Sequence, residues 1–390
     1  MSLATLDTAR RLKVLVAMSG GVDSSYVAAL LASQGHEVLG VTLRVWQDKH
    51  PAFAKDACEV PAPGAPAVAT RKSRSCCGAQ DMRDAGAVAR SQGIPHYVLD
   101  YEDRFREEVI AGFVSEYLAG RTPNPCVACN DKLKFGPLLQ AALGLDCDKL
   151  ATGHYARLAE DEKGLFHLLK AVDPAKDQTY FLYKLTQPQL SRLLFPLGEL
   201  SKTEVRTESR GLGLATAEKA ESMDICFVPK GDYGQVLKAY APESRKSGPV
   251  VDESGAVLGE HEGLAFYTVG QRKGLGLSGG QALYVLRLDP ARNAVVVGPE
   301  SGLLRREACG SKASFTGEPI RRPGEPFRCK VKIRSSHLAA SALVSPPSGS
   351  SGVWGILFDE PQRAITPGQA AVFYDGDECI GGLTLDELPG

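Results

Sequence analysis

Apolar and polar positions in the first half of the chain follow two alternating patterns. Short, mostly apolar runs, typical of buried strands, are predicted as strands at 13–18, 37–46, 96–100 and 150–153. Amphipathic segments between them are predicted as helices at 24–34, 81–92 and 106–118. This alternation indicates an α/β fold built on a parallel sheet.

The pattern changes after about residue 210. Residues 221–240 predict a turn and a short helix, and glycine and proline then punctuate the chain. Period-two alternation follows at 283–288, 294–297, 327–334, 353–358 and 370–374, which is typical of a small antiparallel barrel. We therefore predict an α/β domain over 1–210, a small central domain over 211–280 and a β-barrel over 281–390. The Pro/Ala-rich stretch 48–80 is predicted to be a flexible insertion or a functional lid.

Composition is that of an ordinary globular protein of two or three domains. The 390 residues are 43% hydrophobic and 23% charged, with a net charge of −1, which excludes a disordered chain or a polycation. Apolar runs stay below the roughly 18 residues of a membrane span, and the N-terminus lacks a signal-peptide core, so we expect a cytoplasmic protein without a membrane partner. Ten cysteines in such a chain favour thiol chemistry or metal ligation over structural disulfides.

A glycine-containing run, Ser19-Gly20-Gly21-Val22-Asp23-Ser24-Ser25, follows the first predicted strand and opens a helix. Paired glycines allow a phosphate to approach the backbone, and the amide groups of a helix N-terminus favour an anion. The run lacks the Gly-x4-Gly-Lys-Ser/Thr pattern of loops that serve γ-phosphoryl transfer. It resembles the pyrophosphate loop of the N-type ATP pyrophosphatases, which cleave ATP between the α- and β-phosphates and adenylate a substrate oxygen.

Two further segments contain cysteines that are candidates for thiol chemistry. In 120–135, Cys126 and Cys129 precede Lys132 and Lys134, and nearby cations lower the pKa of a thiol. Cys226 lies between apolar neighbours, and on local evidence alone such a cysteine is usually a buried small side chain.

Seven motifs occur in order along the chain, at 19–25, 120–135, 151–155, 176–182, 224–228, 270–276 and 366–369. Together they resemble the bacterial tRNA-specific 2-thiouridylases. The resemblance implies an adenine-nucleotide α-hydrolase-like domain, a central domain and a barrel. It also implies ATP-dependent replacement of the 2-oxygen of the wobble uridine by sulfur in tRNAs for Lys, Glu and Gln. Another adenylating pyrophosphate-loop synthetase is a rival, disfavoured by the cysteine motifs. A non-catalytic metal- or RNA-binding protein is the other rival.

The same resemblance implies the nucleotide site. ATP would be contacted by Ala17, Met18, Ser19, Gly20, Gly21, Val22, Asp23, Ser24, Leu43 and Gly153. Leu43 stands where the family more often has methionine. Mg²⁺ is expected to offset phosphate charge, and Asp23 is expected to act in catalysis.

The resemblance assigns the sulfur chemistry to two thiols, Cys226 and Cys129, which lie 97 positions apart. Cys226 would carry a persulfide received from a sulfur-relay protein or a cysteine desulfurase. Cys129 would either release hydrosulfide from that persulfide or resolve the intermediate after the persulfide attacks the ring. Cys126 stands where the family often has aspartate. The three thiols are also candidate ligands of an iron–sulfur cluster or of Zn²⁺, although we favour thiol chemistry without a metal.

RNA binding requires a local basic surface because the net charge is near zero. Residues 301–340 contain nine Lys or Arg and three acidic residues. Alternation over 327–334 places four cations on one face, as a phosphate-binding surface or as a merely solvated face. The positions that the resemblance assigns to tRNA are Asn124, Pro125, Cys126, His154, Lys176, Asp177, Gln178, Arg334, Ser335 and Gln369.

Overall fold

The computed structural model describes residues 2–3, 10–46, 78–221, 225–228, 231–277, 282–316, 324–347 and 352–387. Most of the predicted insertion at 48–80 lies outside these residues. The strands, in chain order, are β1 (Ser2–Leu3), β2 (Lys13–Ala17), β3 (Glu37–Arg44), β4 (His96–Asp100), β5 (Lys149–Thr152), β6 (Ala156–Glu160), β7 (Phe166–Lys170), β8 (Leu193–Leu194), β9 (Gly248–Val251), β10 (Val257–His261), β11 (Tyr284–Asp289), β12 (Ala294–Gly298), β13 (Leu304–Ser314), β14 (Phe327–Lys332), β15 (Ala340–Ser345), β16 (Trp354–Arg363), β17 (Ala370–Asp375) and β18 (Glu378–Asp386).

The helices are mostly short, and two of them continue into π-helical segments. In chain order the α-helices are α1 (Val22–Ser33), α2 (Ala79–Ser91), α3 (Glu102–Phe105), α4 (Ala111–Leu118), α5 (Pro125–Cys129), α6 (Leu139–Gly144), α7 (Gln187–Leu190), α8 (Lys202–Gly211) and α9 (Tyr233–Tyr240). The π-helical segments are Arg106–Ile110, between α3 and α4, and Asn130–Leu138, between α5 and α6. Across the described ranges, none of the helices has the length and apolar character to cross a bilayer.

Five of the described strands form a parallel sheet in the order β4-β3-β2-β5-β8. Helices cover both faces of this sheet. Alternate residues of a strand point to opposite faces, so neighbouring residues of β2 pack in different clusters. On β2, Leu15 packs in one cluster with Phe135 of the π-helical segment, whereas Val14 and Val16 pack in another with Val27 of α1. The predicted α/β fold is confirmed.

The order of strands reverses beside β2. The chain passes from β2 to β3 and β4 on one side and later returns to β5 on the other side. Connections that leave neighbouring parallel strands in opposite directions open a crevice at the carboxyl ends of those strands, where ligands bind in such folds. The glycine run follows β2 and Gly153 follows β5, so both lie at this crevice.

A four-stranded sheet, counted over the described part of the chain, has the order β10-β9-β12-β11. Only the pairing of β9 with β12 is parallel. Residues 284–298 are predicted to lie in the barrel, but β12 pairs with β9 and β11 pairs with β12, so both strands belong to this four-stranded sheet. Period-two alternation identifies a strand without identifying its sheet, which explains the difference.

Six of the strands within the described ranges close into an antiparallel barrel, in the cyclic order β13-β16-β15-β14-β17-β18. This confirms the predicted C-terminal barrel. The hairpin β6–β7 from the first half of the chain extends the sheet at β18, where Glu378 pairs with Leu169. Val372 and Tyr374 of β17 share a hydrophobic cluster with Tyr180. The barrel therefore packs directly on the α/β domain.

Candidate active site

The glycine run forms the turn between β2 and α1. Gly20 has a positive φ of 74°, which favours glycine. A Cβ atom on Gly20 would lie 2.1 Å from the carbonyl oxygen of Asp81 in the first turn of α2. Gly21 is the N-cap of α1 and offers no side chain to the first-turn amides. An N-terminus without a side-chain cap is suited to bind an anion.

Hydrogen bonds between two serines close this turn, and a third glycine lets the end of β5 approach it. The amide of Ser19 donates to the Ser24 Oγ over 3.0 Å, and the two serine hydroxyls lie 3.1 Å apart. A Cβ atom on Gly153 would lie 3.0 Å from the Ser24 nitrogen and 3.2 Å from the Asp23 Cβ. Glycine at 153 thus permits the end of β5 to approach the first turn of α1.

The other predicted nucleotide contacts border the same turn. The carbonyl of Met18 accepts a 2.8 Å hydrogen bond from the Thr42 hydroxyl, which lies 2.9 Å from the His96 Nε2. Burial lowers the pKa of His96, and Arg90 adds to this effect. Leu43, next to Thr42 on β3, and Ala17 both pack against the same core cluster. The structure therefore brings 17–24, Leu43 and Gly153 together.

Asp23 is the centre of a polar network that motif reasoning did not foresee. The Tyr155 hydroxyl donates to the Asp23 Oδ1 over 2.8 Å. The Lys202 ammonium donates to both carboxylate oxygens of Asp23, over 2.7 and 2.8 Å. Burial, together with the charge of Asp23, raises the pKa of Tyr155, so this side chain stays protonated and donates.

Lys202 links Asp23 to a second carboxylate, that of Glu221. The Lys202 Nζ lies 2.8 Å from the Glu221 Oε1, and the Lys176 Nζ lies 2.6 Å from the Glu221 Oε2. Burial opposes ionisation of Glu221, but hydrogen bonds from Lys176 and Lys202 outweigh it and lower its pKa to about 2. Glu221 is therefore ionised at neutral pH and bound by two cations.

A third lysine ties the same segment to the glycine turn. The Lys219 ammonium donates to the Gly20 carbonyl over 2.9 Å, to Asp81 over 2.6 Å and to Asp84 over 2.5 Å. Burial lowers the pKa of Lys219, but the two carboxylates prevail and raise it. The turn, α2 and residues 219–221 thus form one polar assembly.

The first cysteine motif lies on α5. The Asn124 side chain accepts from the amides of Cys126 and Val127, over 3.2 and 3.3 Å, and Pro125 occupies the first turn. An asparagine cap followed by proline is a strong helix-start signal. Cys126 is exposed, and Cys129 at the end of α5 is half-buried.

Cys226 lies on the same hydrophobic cluster as Cys129. Both half-buried cysteines pack against the core that contains Phe227. The buried ring of Phe227 contacts Phe105 and Phe113 at centroid distances of 5.5 and 5.1 Å. Phe227 thus anchors the residue next to Cys226, and the fold brings the two distant cysteine motifs to one aromatic core.

The described residues were also searched for clusters of side chains that could bind a metal ion. Within the described ranges, groups of three or more His, Cys, Asp or Glu suited to hold a metal ion are not found. Those ranges include Cys126, Cys129 and Cys226.

Several residues predicted to contact tRNA have structural partners. Asp177 accepts from the Thr179 hydroxyl at 2.9 and 3.0 Å, and Gln178 accepts from the Tyr155 amide at 2.9 Å. His154 Nδ1 lies 2.8 Å from the Thr152 hydroxyl, and burial, with Lys134, lowers the pKa of His154.

Gln369 connects the barrel to the cysteine loop. Its side chain donates to the Thr122 carbonyl over 2.9 Å, and the Thr122 amide donates to the Pro367 carbonyl over 2.8 Å. Gly368 has a φ of 90°, and a Cβ there would lie 2.8 Å from the Thr122 nitrogen. The loop before α5 is therefore docked on the barrel.

The basic strand alternates over 327–332, as predicted. Phe327 and Val331 are buried, whereas Arg328 and Lys330 are exposed. The Arg328 Nη1 lies 3.0 Å from the Asp359 Oδ1. Burial lowers the pKa of Lys332.

Beyond the end of this strand, Arg334 donates to the Arg363 carbonyl over 2.7 Å, and Ser335 is exposed. Burial lowers the pKa of Arg334 as well, with a contribution from Arg363. The cations of the predicted face thus differ in accessibility.

Three family models match the chain in succession. They are described as a tRNA methyl transferase HUP domain (residues 12–230), a tRNA methyl transferase PRC-barrel domain (234–299) and an aminomethyltransferase β-barrel domain (305–385). The chain is also 46% identical over 376 residues to the tRNA-specific 2-thiouridylase MnmA of Solibacter usitatus (strain Ellin6076), covering 95% of this chain and 98% of the relative.

Relatives of the same name give similar values. That of Magnetococcus marinus (strain ATCC BAA-1437 / JCM 17883 / MC-1) is 47% identical over 371 residues, covering 95% of this chain and 98% of the relative. That of Chloroflexus aggregans (strain MD-66 / DSM 9485) is 46% identical over 369 residues, covering 95% and 97%. This chain belongs to the tRNA-specific 2-thiouridylase family. The resemblance noted from the motifs is confirmed.

For this 2-thiouridylase family member, motif reasoning missed Lys202, Lys219 and Glu221. The local signal at Lys202 is only a helix start: Ser201 and Glu204 form a capping box at the beginning of α8. The charge chemistry of these residues appears only when the fold places them beside the glycine turn.

Proposed function

We propose that this chain catalyses the ATP-dependent 2-thiolation of the wobble uridine in tRNAs for Lys, Glu and Gln, as a tRNA-uridine 2-sulfurtransferase. The observation that carries the proposal is the meeting of two cysteine motifs, Cys129 and Cys226, on one aromatic core. A synthetase that only adenylates its substrate needs no such pair of thiols.

The first step would be adenylation of the uracil 2-oxygen. That oxygen attacks the α-phosphorus of ATP, a new O–P bond forms, and the bond to the β-phosphate breaks with release of pyrophosphate. Residues 17–24, Leu43 and Gly153 would hold the nucleotide, with its phosphates at the uncapped N-terminus of α1. Asp23, in the first turn of α1, is the carboxylate that would bind Mg²⁺ together with substrate phosphates. Adenylation turns a poor leaving group into AMP.

The second step would transfer sulfur from a persulfide on Cys226, delivered by a sulfur-relay protein or a cysteine desulfurase. In one route the Cys129 thiolate attacks the Cys226 sulfur and releases hydrosulfide, which displaces AMP from C2. In the other route the terminal persulfide sulfur displaces AMP, and Cys129 then attacks the Cys226 sulfur and releases the thiolated base. Both routes leave a Cys129–Cys226 disulfide that an external thiol must reduce.

We propose that tRNA lies across the cysteine loop, the α/β domain and the barrel. The docking of Thr122 on the barrel through Gln369 supports this path, because it fixes the loop before α5 relative to the basic strand β14. The contacting residues would be Asn124, Pro125, Cys126, His154, Lys176, Asp177, Gln178, Arg334, Ser335 and Gln369. We also propose a domain boundary near residue 300 in place of 280, since β11 and β12 pair with the central sheet.

Pyrophosphate release from ATP, measured with and without unmodified tRNA, tests the proposal. We expect release to depend on tRNA and to be lost in Asp23→Ala, while tRNA binding persists. A carboxylic-acid or amine substrate that replaced tRNA in this assay would favour the synthetase alternative. No release with any tRNA would favour a non-catalytic RNA-binding protein.

A further inference from the structure

The proposed reaction gives no role to one of the seven motifs, the loop Gly-Gln-Arg-Lys-Gly-Leu-Gly at 270–276. This loop precedes β11 in the central domain. Its three glycines have positive φ angles of 88°, 79° and 67°, so the backbone follows a path that other residues rarely adopt. These glycines are Gly270, Gly274 and Gly276.

Hydrogen bonds and one buried side chain fix the backbone of this loop. The Gly270 amide donates to the Val285 carbonyl over 2.8 Å, and the Val285 amide donates to the Gln271 carbonyl over 2.9 Å. The Gln271 side chain donates to the Lys273 carbonyl over 3.0 Å. Leu275 is buried in the hydrophobic cluster of the central sheet. The loop is therefore held on the sheet at both of its ends.

The tip of the loop carries two cations, Arg272 and Lys273, which form the tip pair. Both are exposed, and within the described ranges neither side chain has an ion-pair partner. Arg363, a cation of the adjoining barrel strand β16, differs because its Nε lies 2.9 Å from the Glu300 Oε1. The tip pair is therefore available to an external anion.

The loop lies against the barrel, beside a residue that is proposed to contact tRNA. A Cβ atom on Gly270 would lie 3.0 Å from the Ala364 Cβ and 3.9 Å from the Arg363 Nη1. The Arg363 carbonyl accepts the 2.7 Å hydrogen bond from Arg334. Arg363 thus adjoins both the loop and Arg334, which places the tip pair next to the barrel end of the proposed tRNA path.

We propose that the tip pair binds backbone phosphates of the tRNA, so that the central domain forms part of the RNA-binding surface. The proposal rests on the proposed function, because it takes tRNA as the bound partner. It adds a third contact region to the cysteine loop and the barrel.

The chemistry of the tip pair favours an RNA backbone over a small anion. A small-molecule site is concave and buries most of its ligand, whereas both side chains of the tip pair are exposed. Two exposed cations on neighbouring residues can instead each neutralise a phosphate of an extended polyanion. Such contacts position the RNA without reading its sequence, which suits an enzyme expected to act on three different tRNAs.

The salt dependence of tRNA affinity tests the tip pair, measured by fluorescence anisotropy with the full chain and unmodified tRNA for Lys, without ATP. The double variant Arg272→Gln, Lys273→Gln keeps two polar side chains and removes both charges. We expect the slope of log affinity against log salt concentration to become shallower by roughly one to two units, because each neutralised phosphate contributes about 0.7–0.9. Affinity at low salt should fall several-fold. The double variant Arg272→Lys, Lys273→Arg, which keeps both charges, should retain the parent slope.

The matched control is a second exposed Arg-Lys pair of the central domain, Arg245 and Lys246. It precedes Gly248, the first residue of β9, at the end of the sheet opposite to Tyr284, where the loop joins β11. The double variant Arg245→Gln, Lys246→Gln should keep the parent slope. The thermal midpoint of each variant establishes that it is folded.

Two results would overturn the proposal. A parent slope in Arg272→Gln, Lys273→Gln would show that the tip pair is only solvated, and an equal change in the control variant would show a general effect of net charge. Binding is measured without ATP, so the tip pair can fail this test while tRNA-dependent pyrophosphate release by the parent persists. Absence of that release in the parent would instead refute the proposed function.

Discussion

Replacing Gly20 by alanine should disrupt the glycine turn, whereas the same change at Gly21 should not. Gly20 has a φ of 74°, and its Cβ would lie 2.1 Å from the carbonyl oxygen of Asp81. Gly21 has a φ of −87°, and the nearest atom to its Cβ is the Ser19 Oγ at 3.5 Å. The two neighbouring glycines thus form a matched pair with the same added methyl group.

The structure sets the size of the effect. An alanine in the left-handed region costs roughly 1–2 kcal/mol. Relieving the contact with Asp81 requires the start of α2 to retreat by about 1 Å, since carbon and oxygen in contact need about 3.2 Å. That retreat weakens the bonds by which Lys219 joins α2 to the Gly20 carbonyl. We expect Gly20→Ala to lower the free energy of unfolding by roughly 2–4 kcal/mol, and Gly21→Ala to change it by less than about 1 kcal/mol.

Urea unfolding followed by circular dichroism measures both variants against the parent. Gly20→Ala should also lose tRNA-dependent pyrophosphate release, because an alanine at a φ of 74° distorts the turn that presents these amides. Equal stability of the two variants, with full pyrophosphate release in Gly20→Ala, would refute the close approach of α2 to the turn.

Cys226→Ser should abolish loading of labelled persulfide sulfur, whereas Cys129→Ser should leave Cys226 loadable but stop formation of thiolated tRNA; label retained on Cys226→Ser would contradict this. Anaerobically purified protein should contain less than about one equivalent of iron, zinc or labile sulfide. Cys126→Asp should stay active. A stoichiometric cluster that is lost in Cys126→Ala, together with activity, would contradict chemistry by thiols alone. Replacing the two exposed cations of β14, Arg328 and Lys330, by glutamine should make the slope of log tRNA affinity against log salt concentration shallower by roughly one to two units. Adenylation at saturating tRNA should not change, and an unchanged slope would indicate a solvated face. The pKa of Glu221 is lowered to about 2 from 4.5, so its ion pairs stabilise the fold fully above pH 4.5 and are lost as pH falls towards 2. Between these pH values the free energy of unfolding of Glu221→Gln should therefore fall less steeply than that of the parent. An identical pH profile would contradict the ion pairs of Glu221.

Local pattern predicted the elements well, because it depends on side-chain period alone. Strand β4 was predicted at 96–100 and is found there, and α1 was predicted from 24 but begins at Val22, directly after the N-cap Gly21. Alternation was expected to continue to residue 334, whereas β14 ends at Lys332.

Long-range pairing could not be predicted in the same way. The hairpin of Ala156–Glu160 and Phe166–Lys170 meets the barrel at Glu378, more than 200 positions away. Lys202 and Lys219 act through partners that lie at least 135 positions from them, Asp23 for the first and Asp81 and Asp84 for the second. No motif of adjacent residues carries such information, so the polar assembly around the turn became visible only in the fold.

The central claim is tested most directly by nucleoside analysis of tRNA after reaction. Unmodified tRNA for Lys, Glu or Gln would be incubated with the chain, ATP, Mg²⁺ and a cysteine desulfurase with cysteine, then digested and analysed by mass spectrometry. The account predicts 2-thiouridine at the wobble position, dependent on ATP and on Cys226, with one AMP and one pyrophosphate for each sulfur. Absence of 2-thiouridine, or a methylated nucleoside formed with S-adenosylmethionine, as the names of two matching family models would suggest, would contradict it.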